Sequence, residues 1–157
     1  VNNPIEMIRT FNTLAGNTDD QFNIRQAAMY MGLQCEELAE KLNNVAKAGT
    51  RLTQPYLLDI ANELDALGVE FKRGTYDLEF TRVDRHAIMD DDIDLFVVTV
   101  GSLLSQGVDI HGAIAEVNRA NMAKVWPDGT MHRDANGKIV KPEGWTAPDL
   151  TPFVCAD

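Results

Sequence analysis

One line of residues constrains this chain more than any other. Between about Asp20 and Ala48, the residues Ile24, Ala28, Met31, Cys35, Leu38, Leu42 and Val45 recur alternately four and three apart. Only an α-helix returns such positions to one face, and the heptad-like spacing is that of a helix packed against other helices. A second row with the same spacing runs Tyr30, Leu33, Glu37, Glu40, Asn44. The row places two glutamates on a half-apolar, partly buried face. The remaining face, with Arg25, Gly32, Glu36, Asn43 and Lys47, is expected to meet water.

The rest of the chain reads as further helices. Ile5, Ile8, Phe11 and Leu14 give a short amphipathic helix from Pro4 to Leu14. Gly49 is the expected C-terminal glycine of the long helix. Thr53 can cap the next, Pro55 suits its first turn, and Tyr56, Leu57, Ile60, Leu64 and Leu67 line it up to Gly68. Val69 to Ala87 accommodates a helix or two short strands equally well. Asp90 to Gln106 is the most apolar segment, with only a thin polar line, and is expected at the centre of the fold. Asp109 can cap a last helix from Ile110 to Val125, whose row Ile110, Ile114, Val117, Asn121, Lys124 turns polar at its end. From Trp126 onward prolines and glycines interrupt the chain, and Asp128-Gly129 and Asn136-Gly137 are turn signals. The expected fold class is all-α: a helical bundle of about five helices with an irregular C-terminal tail, forming a single domain over residues 1–157.

Charge narrows the partners. The net charge is −10, without the basic footprint of a nucleic-acid-binding protein. No apolar run is long enough to span a bilayer, and VNNPIEMIRTF lacks the form of a signal peptide, so a cytoplasmic location and no membrane partner are expected. An anionic protein repels a phosphorylated substrate unless a cation mediates. The two cysteines, Cys35 and Cys155, are read as unbridged thiols.

Two acidic runs carry the chemistry. Glu36-Glu37-Leu38-Ala39-Glu40 places Glu37 and Glu40 three apart on one helical face, and like charges there repel unless compensated. Asp90-Asp91-Asp92-Ile93-Asp94 places Asp94 on a face with Asp91 or with Asp90, while Asp92 points away. A solvated acidic face or helix-end capping explains parts of each run. Asp94, a turn further in beside the most apolar stretch, is not explained that way. Two carboxylate pairs from two helices make a cage of hard oxygen ligands suited to Mg²⁺. His86, His111 and His132 lack metal-ligand spacing, and no Walker or GxGxxG motif occurs.

The segments RQAAMYMGLQCEELAEKL and DDDIDLFVVTVGSLLSQGVD resemble the two metal-binding helices of the MazG-like all-α nucleoside triphosphate pyrophosphohydrolases. EVNRANMAKVWPDG and DANGKIVKPEGWTAPDL are similar to the C-terminal signature of a branch related to phosphoribosyl-ATP pyrophosphohydrolase. The resemblance covers most of the chain outside about Gly49 to Ala87. It implies a hydrolase that releases a nucleoside monophosphate and pyrophosphate, with deoxynucleotides among the candidate substrates. It implies Mg²⁺, for which Mn²⁺ can substitute, held by Glu37, Glu40, Asp94 and one of Asp90 or Asp91, with Glu37, Glu40 and Asp94 serving catalysis. It further implies that Asn121 and Lys124 contact substrate phosphate or sugar, that Lys138 and Lys141 add phosphate contacts, and that Trp145 stacks on the base. Relatives associate as dimers or tetramers, so a homodimer or homotetramer is expected. The alternatives are a phosphoribosyl-ATP-type pyrophosphohydrolase and a non-catalytic nucleotide-binding helical protein.

Overall fold

A computed structural model describes residues 3–17, 21–49, 54–135 and 138–155. Its regular elements are five α-helices: α1 (Pro4–Leu14), α2 (Ile24–Ala48), α3 (Gln54–Arg73), α4 (Arg82–Ser105) and α5 (Ile110–Met122). A 3₁₀ turn over Thr151–Phe153 follows, and the described residues form only isolated β-bridges, Val108 with Val154 and Arg133 with Ile139. The fold is all-α with an irregular tail, as expected. Its contacts gather into two compact units, one of residues 1–21 with 83–157 and one of Phe22–Arg82.

The second unit is the hairpin of α2 and α3. The residues buried in it are all small: Ala28, Gly32, Ala39 and Ala46 on α2, Ala61 and Gly68 on α3. Gly32, Ala39 and Ala46 recur every seven residues, as do Ala61 and Gly68, which lets the two backbones approach closely. A Cβ placed on Gly32 would lie 2.7 Å from the Gly68 carbonyl oxygen, and one on Gly68 would lie 2.8 Å from that of Gly32. The large apolar residues therefore do not form the seam. Leu38 and Val45 are exposed, and the buried line runs beside the one the periodicity indicates. Apolar periodicity equates bulk with burial, whereas this contact is made by the residues that take up least room. Gly68, expected to stop α3, lies inside it for the same reason. Glu36, expected to face water, is partly covered and its carboxylate pairs with the Lys72 ammonium of α3.

Other boundaries also shift. Gly49 ends α2 in an extended conformation rather than a left-handed one. Thr53 and Asn136-Gly137 lie outside the described residues. The ambiguous stretch from Val69 resolves into the last turn of α3, a short connection and the first two turns of α4. Asp109 caps α5 as expected, its Oδ1 accepting from the Gly112 N–H at 3.1 Å.

In the first unit α1 and the 3₁₀ turn pack against α5, while α4 packs against neither α1 nor α5. No residue of α4 is buried, and Ile93, Phe96, Val97, Val98 and Leu104 are all more than half exposed. The expectation that this helix is central is thus not met within its own unit. Apolar residues distributed around a helix need cover on several sides, and no described helix of its own unit supplies it. No helix among the described residues is long and apolar enough to cross a membrane.

Candidate active site

The early start of α4 changes the meaning of its acidic run. Asp90 is the ninth residue of the helix rather than part of its first turn. The helix-end field decays within one turn, so neither capping nor the dipole accounts for Asp90, Asp91 or Asp94. All three are exposed and have no ion pair or hydrogen bond among the described residues, whereas Asp92 is engaged with a partner. The same contrast holds on α2. Glu36 is engaged by Lys72, while Glu37 and Glu40 are exposed and have no ion pair or hydrogen bond among the described residues. The two glutamates expected to be partly buried are thus open, and the one expected to be open is partly buried.

These free carboxylates fit a divalent cation. Each pair lies one helical turn apart, offers hard oxygen donors and is not committed elsewhere. Within neither unit do three His, Cys, Asp or Glu side chains converge among the described residues. Each unit by itself therefore offers a pair of carboxylates.

The structure does bring together most of the residues assigned to substrate. Lys124, just beyond α5, donates to the Asn121 Oδ1 at 2.8 Å. Its Nζ stands 5.5 Å from the centroid of the Phe11 ring on α1. Trp145 donates from Nε1 to the Ala120 carbonyl at 2.7 Å, and Lys141 lies over its ring with Nζ 4.0 Å from the centroid. Burial, and then the charge of Lys141, push the Lys124 ammonium below the usual lysine pKa. Neither lysine has a carboxylate partner among the described residues, so the end of α5 presents two ammoniums and an amide without counter-charge. Trp145 is engaged on its N–H and on one face, which makes it the platform under Lys141. Lys138 is tied to Asp134 instead, its backbone bonded both ways to that residue at 2.9 and 3.0 Å. Phe11 escaped the sequence reading because about 110 residues separate it from Lys124. Nothing local signals that pairing.

Two local devices hold the tail. Asp128 accepts from the backbone N–H and hydroxyl of Thr130 and from His132 at 2.8 Å, while the His132 ring stacks on Trp126 at 4.3 Å. Hydrogen bonding, first from His132, lowers the Asp128 carboxyl to about 2. Arg119 donates two hydrogen bonds to Glu116, at 2.8 and 2.7 Å, and Glu116 also accepts the Asp149 N–H at 3.1 Å. Hydrogen bonding, chiefly from Arg119, holds Glu116 at about 2, below its ordinary 4.5. A depressed carboxyl contributes stability that is complete above its unfolded pKa and lost as pH falls through the folded one. The clasp should be whole above pH 4.5 and open toward pH 2. Carboxyl NMR titration should give Glu116 a midpoint near 2, and Arg119→Met should return it toward 4.5. An unperturbed midpoint in the native chain would refute the clasp.

The chain is thus all-α, with carboxylate pairs inside two of its helices and a cationic end on α5. The sequence pattern of the phosphoribosyl-ATP pyrophosphohydrolase family matches residues 5–121, and the chain belongs to that family. It is accordingly a hydrolase acting on phosphoanhydride bonds. The fold is similar to the crystal structure of a protein from Exiguobacterium sp. 255-15 provisionally assigned as an NTP pyrophosphohydrolase. The TM-score is 0.65 at 23% identity, over 94% of this chain and 89% of that one. No curated protein matches the chain.

Proposed function

We propose that the chain is a Mg²⁺-dependent nucleoside triphosphate pyrophosphohydrolase that releases a nucleoside monophosphate and pyrophosphate. The observation that carries this reading is the set of uncompensated carboxylates: Glu37 and Glu40 on α2, and Asp94 with Asp90 or Asp91 within α4. The family match runs through both compact units, which supports treating 1–157 as one functional domain. When bound, Mg²⁺, or Mn²⁺ in its place, supplies charge neutralisation at the phosphates and makes water more acidic. The chain's own part follows from its groups. A carboxylate among Glu37, Glu40 and Asp94 takes the proton of the attacking water. The water oxygen bonds to the α-phosphorus as the bond to the bridging oxygen breaks, and the electron pair leaves with pyrophosphate. Asn121, Lys124 and Lys141 bind the phosphates. Lys138 adds a further phosphate contact, and Trp145 stacks on the base. The net charge of −10 argues against a nucleic-acid partner, and a cytoplasmic location belongs to the same reading.

A panel of ribo- and deoxynucleoside triphosphates with Mg²⁺, read by phosphorus NMR, should show pyrophosphate and monophosphate, with deoxynucleotides among the best substrates. Orthophosphate release would refute attack at the α-phosphorus. The family's own description favours a second substrate, phosphoribosyl-ATP, which belongs in the same panel. Nucleotide binding with no turnover of either class would identify a non-catalytic nucleotide-binding protein. The exposed apolar residues of α4 further support a homodimer or homotetramer, since contiguous apolar surface of this kind marks association sites. Light scattering at micromolar concentration should give at least twice the chain mass, and a monomeric mass would contradict it.

A further inference from the structure

We propose that the open end of the α2–α3 hairpin is a second nucleotide-binding site, recognising a phosphate group attached to an aromatic body, of which a nucleoside monophosphate is the simplest case. A cavity of about 340 Å³ opens there between the first turns of α2 and the end of α3. That volume is within the range of small-ligand sites. Its charged lining is Arg25, Lys72, Arg73 and Asp77. Three cations to one acid reverses the balance of a chain with 14 basic and 24 acidic residues.

The cations differ in availability. Lys72 is held by Glu36, and Arg73 faces Glu70 at 3.5 Å, a long contact. Arg25 has no hydrogen bond or ion pair among the described residues. Its planar fork is the group that best matches phosphate oxygens. Two of the terminal carbonyls of α3 are already engaged. The Gly74 N–H takes the Phe71 carbonyl at 3.1 Å, and the Thr75 N–H takes that of Glu70 at 3.2 Å. Gly74 is left-handed, with φ +70°, which permits this capping. The other wall is aromatic. Phe71 and Tyr76 meet with centroids 4.9 Å apart, and Tyr76 remains 45% exposed. Phe71 thus braces Tyr76, whose free ring surface lies beside the cationic rim. A phosphate at Arg25 with a base against Tyr76 satisfies both halves of the lining.

Within the hairpin the site is apart from the α2 carboxylates proposed for metal. Glu37 lies twelve residues along α2 from Arg25, roughly 18 Å at the helical rise. Binding there does not depend on the proposed hydrolysis.

The test is a titration of the ¹⁵N-labelled full chain with AMP, adenosine and inorganic phosphate. Chelator is present, so that no metal-dependent binding contributes. AMP should shift amides in residues 24–28 and 71–78 saturably. Arg25→Ala should weaken this at least tenfold with unchanged circular dichroism, and Arg25→Lys should recover part of it. Tyr76→Ala should weaken AMP and leave phosphate unaffected, while adenosine alone should give no saturable shift. Shifts near residues 120–145 report the Lys124 region and do not count. No saturable AMP shift in the hairpin, or an affinity unchanged by Arg25→Ala, would overturn the site. Phosphate binding as tightly as AMP would overturn the aromatic half of the recognition.

Discussion

Glu37→Gln and Asp94→Asn should each lower pyrophosphate release at least a hundredfold, about 2.7 kcal/mol or more of transition-state stabilisation. Each substitution keeps the side-chain shape and removes one anionic oxygen ligand, and with it a possible proton acceptor. Neither residue has another partner among the described residues, so the loss should not pass through the fold. Removing one charge of a like-charged pair a turn apart should instead relieve a few tenths of a kcal/mol. Glu36→Gln is the control on the same helix. Its carboxylate is engaged by Lys72, so it should cost up to about 1 kcal/mol of stability and leave turnover near that of the native chain. Asp90→Asn and Asp91→Asn, compared under the same conditions, identify the fourth carboxylate. Steady-state pyrophosphate release at saturating Mg²⁺ is the readout. Near-native release by both Glu37→Gln and Asp94→Asn would refute the assigned site.

The largest effect on stability should come from the smallest substitution. In a helix, Gly→Ala ordinarily stabilises by about 1 kcal/mol. Gly68→Ala and Gly32→Ala should do the reverse and destabilise by about 2 kcal/mol, lowering Tm by about 4–8 °C. The added methyl would lie 2.8 or 2.7 Å from a backbone carbonyl oxygen of the facing helix. Backbone cannot turn aside as a flexible side chain can, so α2 and α3 must separate and loosen the packing at Ala28, Ala39 and Ala61. Thermal unfolding followed at 222 nm measures the shift. A variant as stable as the native chain would mean that the two helices do not approach in this way. The sign alone decides, because helix propensity and packing predict opposite directions.

Much of the chain was legible locally. The helices of α1, α2 and α5, the cap at Asp109 and the turn at Asp128-Gly129 follow from short-range periodicity and hydrogen-bonding chemistry. The E-x-x-E and D-x-x-D spacings place their carboxylates on shared helical faces whatever surrounds them. The ordered series of motifs from Glu37 to Lys124 pointed to the family now matched over residues 5–121. The first turns of α4 were not legible, because Arg82 to Met89 has no apolar stripe to announce a helix. That gap also left Asp90 to Asp94 looking like a helix start.

What the sequence determined by itself was therefore the helical class, the helical faces that carry the acids and the chemistry those acids can support. Tertiary structure alone decided which face of α2 is buried, because contact there rewards close backbone approach through Gly32 and Gly68 rather than apolar bulk. It alone exchanged the roles of Glu36 and Glu37, since the position of Lys72 on another helix selects which carboxylate is neutralised. It alone set Phe11 beneath Lys124 and Trp145 beneath Lys141. Those contacts join residues that are remote along the chain or joined by irregular tail, where no repeating local geometry encodes who meets whom.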